Sequence, residues 1–587
     1  MKKVAGKSSR VKKKPHAPAD LSYSATAHDY AREVVEGRKL ACKWVRLACE
    51  RHLKDLAREK EKAWPFKFDP LAAARACRFI ELMPHIKGQW ARPVPGQRNR
   101  IRMEPWQKFI TCAIFGWVWK QTGLRRFSEA YVCIPRKNAK STWAAGVGNY
   151  MLAADGEYGA EVYSGATTEK QAWEVFRPAW LMARRTPELE SIFGVQWAAK
   201  SLYIEEDGSR FEPLIGDPGD GSSPSCAIID EFHEHATANQ YDTMKTGMGA
   251  RSQPLLLVIT TAGSNIAGPC HDLQTEAQKV LEGIVENDAL FAIVYTIDEK
   301  DDWTTEEALK KANPNYDVSV SGTFLQKQVR EAVQQASKQN LVKTKHLNIW
   351  VGAAQGLFNM QDWAKCADPS LKLDEFLGQD CYEADDLSAK IDLTARVRVF
   401  LRVGADGKKH YYVFGRYYLP AERAMDPRFQ HYQRWVHEGS LVAIPGTEVD
   451  YAVIKRDILA DTLRFNVRCI AFDPWSALQL QQELATELAD DVVISIPQQV
   501  RFLSDPIKEI EAALSSGRLH HDGDKPLAWA MSNVVGKYDA NRNVFPRKER
   551  EENKIDPAVA LIMAISRAMV ATPKKKSVYS SRGLITV

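Results

Sequence analysis

The segment YVCIPRKNAKST, residues 131 to 142, decides how the first half of the chain folds. A short apolar run ends at Ile134, a basic turn follows, and Lys140, Ser141 and Thr142 then open the helix-like stretch STWAAGVGNYMLAA. Strand, basic loop and helix start in that order make a phosphate cradle. Backbone N–H groups and a helix N-terminus point at the anion, and a lysine adds charge. The glycines expected of such a loop are missing, their positions taken by Ile134 and Ala139. Ala139 is the smallest substitute, and Asn138 tolerates unusual φ better than most residues. Taken alone, the stretch reads more readily as a basic strand-to-helix turn.

Its neighbours change that balance. CAIIDEFHEH, residues 226 to 235, is an apolar strand that stops in Asp230 and Glu231. Hydrolysis of a nucleotide needs one carboxylate to hold a divalent ion and another to orient the attacking water. Asp230 suits the first role and Glu231 the second. PLLLVITTAGS, residues 254 to 264, is a further strand with a small hydroxylated end suited to sensing a terminal phosphate. Upstream, EPWQKFI carries Gln107, whose amide offers an adenine edge both a donor and an acceptor. Short apolar strands alternating with helical stretches from about 105 to 265 argue for a mostly parallel α/β sheet.

The C-terminal half places acids at the ends of structured runs. Asp386 lies in YEADDLSAKIDLTA, Asp473 ends VRCIAFD, and Asp556 opens the last helix in NKIDPAVAL. Clustered carboxylates around hard cations can activate a water against a phosphodiester. Only a fold that gathers distant strand ends uses these three together. Asp385 and Asp392 compete with Asp386, and Asp556 also reads as a helix cap before Pro557. His520 and His521 read as turn residues. RVRVFLRV and KHYYVFGRYYL read as a hairpin turning at Ala405, Asp406 and Gly407.

Bulk properties frame these motifs. The chain has 587 residues, 45% hydrophobic and 26% charged, with a net charge of +6. That is ordinary for a multidomain globular protein and too mildly basic to prove a nucleic-acid partner. No long uncharged apolar run suggests a membrane span. Ten scattered cysteines form no CxxC pair, which argues against a zinc ribbon and fits a reducing compartment. The expected organisation is a disordered basic tail at 1–25, a helical segment at 26–100, and an ATPase domain with linker at 101–365. A nuclease-like domain follows at 366–572, then a basic tail at 573–587. Residues 266 to 375 read as the polar, helical linker.

The ordered set EPWQKFI, PRKNAKST, CAIIDEFHEH, LLLVITTAG, ADDLSAKIDLTA, IAFDPWSA and NKIDPAVALIMA resembles the large terminase subunit of tailed bacteriophages. The resemblance implies a P-loop ATPase with a mostly parallel sheet, followed by an RNase H-like nuclease domain. It implies ATP-driven packaging of double-stranded DNA into a procapsid and cutting of the concatemer by a two-metal endonuclease. In that family the phosphate loop is a deviant one, which Arg136 and Lys140 match. By the same resemblance Gln107 reads adenine, Asp230 and Ser141 hold the nucleotide's metal, and Glu231 is catalytic. Thr142 completes the loop, Thr260, Thr261 and Ala262 couple hydrolysis to movement, and Arg251 senses phosphate. Asp386, Asp473 and Asp556 become the catalytic metal ligands, with Asp392 auxiliary and Lys554 near the scissile phosphate. Implied cofactors are ATP and Mg²⁺, with Mn²⁺ an option at the nuclease. Implied partners are DNA, a portal protein, a small terminase subunit and further copies in a ring, a pentamer by family resemblance. The implied setting is the host cytoplasm, with transient residence on the procapsid and absence from the mature virion. The rival readings are a helicase-like DNA-remodelling ATPase with a non-catalytic C-terminal DNA-binding module, and a non-catalytic structural protein.

Overall fold

Two separate sheets gather nearly every run that reads as a strand in the sequence. The computed structural model describes residues 21–92, 99–215, 221–266, 268–353, 356–387, 392–426, 429–474, 478–488, 491–550 and 553–571. Both expected basic tails fall largely outside these residues.

The first unit holds an eight-stranded sheet: β1 Glu129–Cys133, β2 Glu161–Ala166, β3 Val195–Trp197, β4 Leu202–Ile204, β5 Ser209–Ile215, β6 Cys226–Asp230, β7 Leu255–Thr260 and β8 Leu290–Val294. The spatial order is β8-β1-β7-β6-β2-β5-β4-β3. The first six strands run parallel, and β4 and β3 add an antiparallel edge. Parallel strands covered on both faces must be apolar throughout. Val132, Ile228, Ile259 and Ile293 are accordingly inaccessible to solvent, each burial worth about 1.5–3 kcal/mol. Strand β8 corrects the expectation of a linker there. Its five-residue run, LFAIV, is too short to stand out between polar flanks, but pairing with β1 makes it the sheet's edge.

The helical N-terminal segment is part of this unit. Its helices are α1 Ser22–Val35, α2 Lys43–Arg58 and α3 Pro70–Leu82, followed by α4 Pro105–Gly116. Arg51 Nη1 donates to the Leu290 carbonyl at 2.8 Å, and the Tyr30 and Tyr295 hydroxyls meet at 2.9 Å. The segment thus covers the β8 edge. Helix α5, Lys140–Ala153, follows the basic loop. Its Gly148 permits close packing, since a Cβ there would stand 2.5 Å from the Phe211 ring.

The second unit is built on β9 Asp380–Asp386, β10 Thr394–Val403, β11 Lys409–Pro420, β12 Leu441–Ile444, β13 Asn466–Phe472 and β14 Val493–Ser495, in the order β12-β11-β10-β9-β13-β14. Strands β9, β10 and β11 are an antiparallel meander, and β13 and β14 add parallel to β9. This is the mixed sheet expected of an RNase H-like nuclease. The β10–β11 hairpin turns where expected, with Gly407 at φ +73°. The C-terminal helix Asp556–Ala568 is buried without interruption from Pro557 to Ile565, as an all-round apolar helix must be. His520 and His521 are corrected from turn to strand: they end β15, Leu519–His521, which pairs with β11.

The chain changes unit more than once rather than at one boundary near 365. Residues 273–300 and 310–320 belong with the first sheet, while the described residues of 261–272, of 301–309 and from 321 onward belong with the second. All ten cysteines are buried free thiols. No helix among the described residues is long and apolar enough to cross a membrane.

Candidate functional site

Parallel strands deliver their carboxyl ends to one edge of a sheet, and in the first unit that edge collects the basic loop and the acids. The loop leaves β1 at Cys133 and enters α5 at Lys140. Its backbone takes the left-handed conformation twice, at Lys137 (φ +70°) and Ala139 (φ +62°). Ala139 therefore occupies the conformation in which such a loop would use glycine. Lys140, only 6% exposed, donates from Nζ to Glu231 Oε1 at 3.1 Å. Ser141 Oγ donates to Asp230 Oδ2 at 3.3 Å, and the Glu231 amide donates to Asp230 Oδ1 at 2.9 Å. Lysine, serine and both acids are thus one connected group.

Burial raises the Asp230 carboxyl to about 7, with Lys140 opposing the rise and Glu231 adding to it. Glu231 goes the other way: burial pushes it up, but Lys140 and then His233 outweigh that and hold it below its ordinary value. The two adjacent acids are thereby split, one inclined to keep a proton and one ionised. Glu231 also has a left-handed backbone, φ +51°, of the kind that collects at functional sites.

His233 was not singled out by the sequence. Its Nδ1 lies 3.2 Å from Glu231 Oε2 and 3.1 Å from Thr260 Oγ1, and its amide donates to the same Thr260 hydroxyl at 3.1 Å. It therefore joins the second acid to the end of β7. Thr260, Thr261 and Ala262 are all fully buried. Its only trace in the sequence is its place two residues beyond Glu231.

The remaining residues of the ATPase prediction divide. Arg136 is exposed on the loop and near enough to Glu231 to help lower its pKa, and Thr142 is half-buried in the first turn of α5. Gln107 is buried, and its Oε1 accepts the Glu104 amide at 2.9 Å in a capping box at the start of α4. One of the oxygen's two lone pairs is thus used at the helix start, and the amide NH₂ is the group left to meet a base. Arg251 is corrected. It precedes β7, donates from Nε to the Ser223 carbonyl at 2.7 Å and stands 3.6 Å from Glu161 at the start of β2. That is the amino end of the parallel strands, roughly 16 Å along β6 from the acids, so Arg251 does not reach the loop of its own chain.

In the second unit, β9 and β13 are parallel neighbours with Asp385 opposite Phe472. This register sets Asp386 and Asp473 at adjacent strand ends, and Asp556 begins the helix packed over the same strands. Burial raises the Asp386 carboxyl well above its ordinary value, and Asp556 and Asp473 raise it further. Asp556 rises to about 6, first by burial, with Asp392 adding to the rise. It is the first residue within its helix, whose cap is Ile555, so it is not the helix cap its sequence also allowed. Strand alternation decides between the adjacent acids: Asp385 turns to the buried Arg396, 3.3 Å away, beside Glu383. Lys554 Nζ donates to Asp392 Oδ2 at 2.5 Å, which brings both to the Asp556 side. Gln498, not predicted, donates to Asp386 Oδ1 at 3.1 Å.

Half-buried carboxylates gathered this way are an oxygen donor set suited to a hard divalent cation, which would offset the repulsion that Asp386 meets from Asp556 and Asp473. Among the described residues no three such side chains are already closed to metal-holding geometry. The acids are gathered but not drawn together.

Comparison with known proteins adds to this geometry. The family model described as the terminase large subunit ATPase domain matches residues 105–279, and the one described as the terminase large subunit endonuclease domain matches residues 284–571. Protein YmfN of Escherichia coli (strain K12) is 48% identical over 362 residues, covering 60% of this chain and 79% of that protein. The terminase large subunit of Enterobacteria phage HK97 is 26% identical over 482 residues, covering 80% and 91%. The crystal structure of the HK97 large terminase aligns with a TM-score of 0.40 at 24% identity, covering 84% of this chain and 99% of that one.

Proposed function

The chain belongs to the terminase large subunits, and on that premise we propose how its own residues divide the work. It is a DNA-packaging motor with two activities, ATP hydrolysis and endonucleolytic cutting, and it uses nucleotide and divalent metal.

One observation carries the ATPase assignment: Lys140, Ser141, Asp230 and Glu231 converge at the carboxyl edge of the first sheet. Lys140 binds the nucleotide's phosphates. Ser141 and Asp230 would hold its Mg²⁺, which when bound neutralises phosphate charge. The 3.1 Å pair between Lys140 and Glu231 is then a resting lock. Phosphate competes for the lysine, and the released Glu231 carboxylate is free to orient water and accept its proton. Gln107 offers its NH₂ to the base, and Arg136 adds charge at the loop mouth. Glu231→Ala is expected to abolish ATP turnover while leaving nucleotide binding largely intact. Turnover at the wild-type rate would remove Glu231 from this role.

At the second site Asp386, Asp473 and Asp556 would hold Mg²⁺ or Mn²⁺, which supplies an activated water and stabilises the leaving oxygen when bound. Asp392 keeps Lys554 beside them, and Lys554 faces the scissile phosphate. The pattern of two metals, a portal protein, a small terminase subunit and a pentameric ring are part of this proposal, as is work in the host cytoplasm and transiently on the procapsid. DNA contacts are chiefly to phosphates, because a translocase must grip any sequence.

A further inference from the structure

We propose that Asn313 and Asn315 are positioning residues of the ATPase, clamping the glycine-poor phosphate loop into its curled shape. The inference rests on the reading of residues 134–142 as that loop.

Two left-handed non-glycine residues flanking a single position persist only where the surroundings hold them there. The position between Lys137 and Ala139 is Asn138, wholly buried. Its Nδ2 donates to Asn313 Oδ1 at 2.9 Å, and its Oδ1 accepts the Asn315 amide at 3.0 Å. Asn315 Nδ2 donates to the Asn138 carbonyl at 3.4 Å and to Ser319 Oγ at 3.0 Å. Ser319 Oγ in turn donates to the Lys137 carbonyl at 2.6 Å. The curl of the loop is thus matched, group by group, by a second segment far along the chain. Asn313 and Asn315 are themselves 1% and 3% exposed. Asn138 uses both ends of its side-chain amide here, donating to Asn313 and accepting from Asn315.

The clamp also reaches the base side. Asn315 Oδ1 accepts the Trp106 Nε1 hydrogen at 2.7 Å, one residue before Gln107. One asparagine therefore sets the loop's distance from the start of α4. Residues 310–320 belong with the first sheet, although they lie within the stretch matched by the endonuclease family description. The phosphate loop is completed by a segment outside the ATPase match.

The test uses the full-length chain, with ATPase and metal-dependent DNA cleavage measured on each variant. Asn313→Ala takes one acceptor from the Asn138 amide, which keeps the Pro135 and Arg136 carbonyls, and Asn315→Ala takes a donor from the Asn138 carbonyl and the acceptor from Trp106 Nε1. The expected result is a KM for ATP raised about tenfold (about 1.4 kcal/mol), kcat within about threefold, and unchanged cleavage. Asn313→Gln, which keeps both amide functions, recovers part of the KM. Unchanged KM in both alanine variants overturns the clamp. A parallel loss of ATPase and cleavage also overturns it, because that marks a general structural role. Lys140→Ala is the control: if it hydrolyses ATP normally, the phosphate-loop reading itself fails and the clamp with it.

Discussion

Ala139 sits where a glycine would be expected, with φ +62° and ψ +22°, and this makes its replacement a quantitative test. A left-handed backbone costs an L-residue about 1–2 kcal/mol. Glycine escapes that cost but gives up about 0.4–1 kcal/mol through the freer unfolded chain. The balance for Ala139→Gly is a loop favoured by about 0.5–1 kcal/mol, or a KM for ATP lowered by about twofold to fivefold. Ala139→Val moves the other way. A β-branched residue at positive φ is a true outlier costing about 1–3 kcal/mol, so its KM should rise about tenfold or more. Steady-state ATPase kinetics with calorimetric nucleotide binding on the same samples measures both effects. Wild-type KM in Ala139→Val, with binding unchanged, would refute the argument, because the loop then need not curl at this residue.

His233→Ala removes the contact with Glu231 and the link to Thr260, and should lower kcat about tenfold with KM within twofold; an unchanged kcat would leave His233 a packing residue. Arg396→Met strands the buried carboxylates of Glu383 and Asp385, while Asp461 keeps Arg398, and should cost about 3–5 kcal/mol, read by thermal or denaturant unfolding of the second unit; an unchanged midpoint would show that the network is not ionised. Burial raises Asp524 to about 7, so the fold favours its proton, and stability falls as pH rises from the unfolded value toward and through 7. Asp524→Asn should therefore stabilise the protein more at pH 8 than at pH 5.5, and an equal gain at both would contradict the shift. DNA binding should weaken steeply with salt, and a flat response would exclude phosphate-dominated contact.

Strands β1, β6 and β7 were legible because each is a continuous apolar run closed by chemistry-bearing residues. The same logic failed for β8, where five apolar residues between polar flanks carry no signal until β1 pairs with them. Apart from the family resemblance, the residues alone do not separate Asp386 from Asp385; the strand shows that Asp385 is the one facing the buried arginine. Arg251 misled because nearness in sequence to β7 hides which end of the strand it occupies. Asn313 and Asn315 had no local signature at all. Their meaning comes from a contact with Asn138 about 175 residues away, which periodicity and spacing cannot show.

The central claim is that one chain carries two separate catalytic sites, and crossed assays on two full-length variants test it most directly. Lys140→Ala should lose ATP hydrolysis and keep metal-dependent DNA cleavage, while Asp473→Ala should lose cleavage and keep hydrolysis. Cleavage by Asp473→Ala at the wild-type rate, or hydrolysis by Lys140→Ala at the wild-type rate, would contradict the account.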